Sequence, residues 1–63
     1  MENDAEKKAR IAALNKEMDG IHFVNSLYWQ RREANTTTAR AEYQRRLDRL
    51  DEIRRELAQL QSE

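Results

Sequence analysis

The sequence predicts an all-α fold, an antiparallel two-helix hairpin that completes its core as a dimeric four-helix bundle. Three observations carry that prediction. The 63 residues include no proline and one glycine, so little interrupts a helix. Apolar residues recur every three or four positions in two separate stretches, which gathers them on one face of each helix. The two sets of apolar positions mirror each other about one short polar segment.

That segment is Asn35-Thr36-Thr37-Thr38, the one run of poor helix formers. Its short polar and β-branched side chains compete with the backbone for hydrogen bonds and favour caps over helix interiors. The whole chain reads as a single hairpin domain, with a first helix over about 4–33, a turn over about 34–37 and a second helix over about 38–61. Thr37 is the first choice to cap the second helix by satisfying an orphaned amide at its start. Asp4 and Glu6 suit the positive end of the first helix.

The first helix carries Ile11, Leu14, Met18, Ile21, Val24 and Tyr28, and the second carries Tyr43, Leu47, Leu50, Ile53, Leu57 and Leu60. In an antiparallel hairpin, residues at equal height have position numbers with a constant sum. Here every pair sums to 71: Ile11 with Leu60, Leu14 with Leu57, Met18 with Ile53, Ile21 with Leu50, Val24 with Leu47, Tyr28 with Tyr43. That value centres the turn between Asn35 and Thr36, where turn chemistry had already placed it.

A single core of this size rarely supplies more than about 3–5 kcal/mol. With no cysteine, disulfides cannot supplement it, and self-association is the remaining common remedy. A second stripe on the first helix, formed by Ala9, Ala13, Gly20, Phe23 and Leu27 with Trp29 nearby, is available to meet a partner chain. Ala13, Gly20, Phe23, Leu27 and Trp29 are therefore the expected homodimer interface, and a two-fold dimer is the simplest closure. The simpler alternative is that these residues widen the hairpin contact. Gly20 admits a different reading, in which Asp19-Gly20 ends a helix and residues 21–29 form a β-rich run. The rungs through Ile21 and Val24 favour continuous helix.

Charged residues make up 38% of the chain and mean hydropathy is −1.13, but twelve basic and twelve acidic residues cancel. Balanced charge with periodic apolar residues indicates surface helices laced with ion pairs rather than disorder. Expected local pairs are Glu42 with Arg46, Asp51 with Arg55 and Arg45 with Asp48. No apolar run reaches membrane-spanning length and the N-terminal residues are unlike a signal peptide, so a cytoplasmic location is expected.

Two constellations could carry chemistry. Asp19 and His22 form a D-x-x-H spacing on one helix face, with Glu52 opposite Asp19 by the same sum rule, which resembles the carboxylate–histidine metal sites of helical bundles. The simpler reading is a surface histidine bonded to a carboxylate. Around the turn, Arg31, Arg32, Arg40, Arg45, Arg46 and Arg49 outnumber Glu33, Glu42 and Asp48 by three charges and interleave with Tyr28, Trp29 and Tyr43. Arginines mixed with aromatic rings bind phosphates and stack on bases. Zero net charge weighs against nucleic-acid binding. No set of residues activates a nucleophile, and one glycine cannot form a phosphate loop, so neither catalysis nor a cofactor is expected.

The boxes Ile21-His22-Phe23-Val24-Asn25-Ser26-Leu27-Tyr28-Trp29 and Ala39-Arg40-Ala41-Glu42-Tyr43-Gln44-Arg45-Arg46 resemble those of small uncharacterised bacterial helical proteins. The resemblance covers most of the chain and implies a helical fold without any particular activity. The leading functional expectation is a non-enzymatic, self-associating structural or protein-interaction module. A nucleic-acid-binding dimer is the alternative, and a metal site the third reading.

Overall fold

The computed structural model describes residues 4–30 and 36–62. Two helices account for nearly all of them: α1 spans Asp4–Gln30 and α2 spans Thr37–Ser62. They pack antiparallel as a hairpin 52 × 15 × 14 Å in extent. α1 runs unbroken through Gly20, which excludes the reading that ended a helix there. Glycine inside a helix costs about 1 kcal/mol relative to alanine. The rest of α1, rich in alanine, leucine, lysine and glutamate over 27 residues, carries that cost. Residues 31–33, expected to extend the first helix, and residues 34 and 35 of the expected turn lie outside the described residues.

α2 begins with a side-chain cap supplied by Thr36, one residue before the expected Thr37. The Ala39 amide donates to Thr36 Oγ1 at 3.0 Å, and the Arg40 amide donates to the Thr36 carbonyl at 2.9 Å as the first turn closes. Either threonine offers the same hydroxyl, and backbone position decides which one reaches the third helical amide. Thr36→Ala should lower stability by about 1 kcal/mol while Thr37→Ala is close to neutral, read from urea-unfolding midpoints.

The seam between the helices follows the constant-sum register. Leu14, Ile53 and Leu57 form a buried cluster, with Ile11, Met18, Ile21 and Leu60 packed against it, and Leu50 is also buried. At the turn end the Tyr28 and Tyr43 rings stack with centroids 4.6 Å apart and planes 10° from parallel. These residues are the expected rungs. One expected rung is corrected: Val24 and Leu47 are 41% and 36% exposed, and Asn25 and Arg46 occupy the seam at that level. Arg46 Nε donates to Asn25 Oδ1 at 2.6 Å. Asn25 is buried and Arg46 half-buried.

With that correction the inward residues of α1 are Ile11, Leu14, Met18, Ile21, Asn25 and Tyr28, and those of α2 are Tyr43, Arg46, Leu50, Ile53, Leu57 and Leu60. Steps of three and four alternate strictly in both, the heptad repeat of a coiled coil with one polar layer near the turn. Val24 and Leu47 each lie one residue off that repeat and so fall on its flanks.

One edge of the seam is held by two bidentate ion pairs one heptad apart. Arg10 donates to Glu56 through Nε at 2.7 Å and Nη2 at 3.0 Å, and Arg49 donates to Glu17 through Nε at 2.6 Å and Nη2 at 2.9 Å. The polarity reverses between them, arginine on α1 in the first and on α2 in the second. Sliding one helix by a heptad in one direction sets Arg10 against Arg49 and Glu17 against Glu42. Sliding it the other way sets Glu17 against Glu56. Like charges then oppose in either misregister, so the pairs select the register even though exposed pairs add little stability.

Candidate interaction surfaces

Two surfaces remain once the seam is closed: the aromatic and arginine-rich turn end, and the outer face of α1. At the turn end, Trp29 stands edge-on to Tyr28 and Tyr43, with centroids at 5.4 and 5.6 Å and planes near perpendicular. Its indole Nε1 donates to the Tyr43 hydroxyl at 3.1 Å. The Arg46 guanidinium carbon lies 5.9 Å from the Tyr43 ring centroid, a cation–π contact beside its hydrogen bond to Asn25. The aromatic box and the polar layer thus form one connected patch. Edge-on and offset ring pairs contribute roughly 0.5–1.5 kcal/mol beyond burial, which helps join two helices where their aliphatic core ends.

The arginines expected to contact nucleic acid separate on inspection. Arg31 and Arg32 lie outside the described residues. Arg46 is held by Asn25 and Tyr43, and Arg49 by Glu17 and by Glu52 at 3.1 Å, so neither presents a free guanidinium. Hydrogen bonding to Glu17, then to Glu52, raises the Arg49 pKa, while Arg49 and Arg10 hold the carboxyls of Glu17 and Glu56 below the ordinary carboxylate range. Arg40 and Arg45 are exposed and make no side-chain ion pair among the described residues. Of the expected local pairs only Asp51 with Arg55 forms, at 3.3 Å, while Asp48 accepts instead from Gln44.

The expected metal set does not assemble. Asp19, His22 and Glu52 are all exposed, and the described residues contain no cluster of three metal-ligating side chains. The physical reason is the heptad seam: the inward positions near His22 are Ile21 and Asn25, so Asp19 and His22 face outward. Glu52 lies off the seam too, and Arg49 engages it. Among the described residues no buried side-chain nitrogen or oxygen lacks a hydrogen-bond partner.

The outer face of α1 carries an apolar patch. Phe23 is 66% exposed, Val24 is exposed beside it, and Leu27 is half-buried. Ala13, Gly20 and Leu27 follow at heptad intervals, so they align along the helix. Trp29, grouped with them in the expected interface, is also exposed, but two residues beyond Leu27 it projects to roughly the opposite side of a helix with about 3.6 residues per turn. The indole belongs to the turn-end patch and not to this face. By contrast the outward residues of α2, including Arg45, Asp48, Asp51 and Arg55, are charged and exposed.

Comparison with known proteins finds no matching family model, no matching curated protein and no matching solved structure. Among the described residues no helix is long and apolar enough to cross a membrane.

Proposed function

We propose that this protein is a self-associating structural or protein-interaction module in which two hairpins unite as a four-helix assembly through the outer face of α1. The observation that carries the reading is the exposure of Phe23 beside Val24 and Leu27, in a chain whose own buried aliphatic core is Leu14, Leu50, Ile53 and Leu57. A core that small is marginal alone, and an aromatic-centred patch in water costs solubility unless covered. A second copy offers an equal patch at no further genetic or structural cost.

Light scattering over a dilution series, with helicity followed by circular dichroism, tests the reading. The mass should be twice that of the 7.6 kDa chain at high concentration, and helicity should fall as dilution separates the chains. A fully helical monomer at every concentration overturns it. A labelled single-stranded oligonucleotide in the same experiment at low salt should show no saturable binding, because Arg46 and Arg49 already have protein partners and Arg40 and Arg45 offer too few phosphate contacts in a chain of zero net charge.

A further inference from the structure

The outer face of α1 carries a protrusion and a notch within one helical turn. Phe23 is 66% exposed, and a Cβ built on Gly20 would meet nothing within 4 Å. Residues three apart share a helix face. A face that holds both a knob and a hole can match a copy of itself, because in a two-fold contact residue i meets j while j meets i. Resting on the self-association proposed above, we infer that two chains join through α1 packed antiparallel on the partner's α1, each Phe23 ring seated over the partner's Gly20. The helix order is then α2, α1, α1 of the partner, α2 of the partner.

Charge and shape both select the antiparallel arrangement. A parallel pairing sets Phe23 against the partner's Phe23 and Gly20 against the partner's Gly20, which crowds one level and leaves a void at the next. It also opposes Lys16 to the partner's Lys16. The antiparallel register that joins Phe23 to Gly20 sets Lys16 beside the partner's Leu27, where its aliphatic stem can cover apolar surface. No like charges meet there.

The central place of α1 follows from what each helix shows to solvent. Leu47, at 36%, is the one large hydrophobic of α2 that is exposed, and it lies on the seam's flank. Charged α2 suits the outside. In that register residue 13 of one α1 lies level with residue 30 of the other, so the two helices run side by side over roughly 27 Å of α1.

A size exchange between the two positions tests the inference. Phe23→Ala empties the knob and Gly20→Phe fills the hole. Each alone should weaken the dimer at least about tenfold in Kd by sedimentation equilibrium, the effect of losing a central aromatic anchor. The double variant Gly20→Phe/Phe23→Ala restores one large and one small residue at each level, and should recover to within about threefold of wild type. Both sites are exposed in the single hairpin, so helicity at high concentration should persist in every variant. A wild-type dimer whose Kd is unmoved by either single change, or a double variant weaker than both, overturns this geometry and leaves self-association standing. A wild-type monomer overturns both.

Discussion

Ile53→Ala leaves the protein largely unfolded at room temperature, seen as loss of far-ultraviolet helical signal and of a cooperative thermal transition. Ile53 is 0% exposed and packs in one buried cluster with Leu14 and Leu57, level with Met18. Truncating a buried isoleucine costs about 2–5 kcal/mol, part lost transfer energy and part the cavity left behind. The cost approaches the whole stability of about 3–5 kcal/mol that a core this small supplies. Two-helix packing worsens the outcome, because no third element can move in to refill the gap. Leu47→Ala is the control, since a side chain already 36% exposed leaves little cavity and should shift the transition only slightly. If Ile53→Ala melts cooperatively near the wild-type temperature at low protein concentration, the seam is not where the stability resides.

The position of Ile53 was legible in the sequence, and so was most of the hairpin. Mirror symmetry in the apolar positions gave Met18 opposite Ile53 and Tyr28 opposite Tyr43, because antiparallel helices of equal rise keep one register along their length. The exception is informative. Near the turn the apolar residues are Val24 and Leu47, and selection by residue type put them inside. The strict alternation of three- and four-residue steps picks Asn25 and Arg46 instead, and backbone geometry holds to the repeat even when the residue there is polar. Periodicity outranked hydrophobicity at that level.

The candidate surfaces were legible in part. Exposure of Phe23 and the openness at Gly20 agree with the stripe read from sequence, whereas Trp29 faces another way because two residues turn a helix by roughly 200°. The arginines were harder. Sequence spacing exposes partners within a helix, and two of the strongest pairs, Arg10 with Glu56 and Arg49 with Glu17, join residues 46 and 32 positions apart. The signal that could have revealed them is the same mirror symmetry: both pairs share one constant sum, as neighbours along one edge of the seam must.

Replacing Arg46 by leucine should lower stability by about 1–3 kcal/mol, and adding Asn25→Leu should return it to wild type or above, measured from urea-unfolding midpoints. The single change removes the donor 2.6 Å from Asn25 Oδ1 and leaves a buried amide facing hydrocarbon, which carries its full desolvation penalty. Removing both partners leaves two leucines at the same level of an uninterrupted apolar seam, an exchange that is commonly neutral or stabilising for buried polar pairs. Stability alone then gives no reason for the polar layer. A single register does. Slipping α2 by one heptad sets the Arg46 guanidinium against Met18 or pairs Asn25 with Ile53, so each misregister strands a polar group in the seam. The reversed ion pairs of Arg10 and Glu17 oppose the same slips from the edge. The double leucine variant should therefore gain stability and lose uniqueness, giving several species on size-exclusion chromatography where the wild type gives one. A double variant that stays both more stable and homogeneous would assign register control to the edge ion pairs alone.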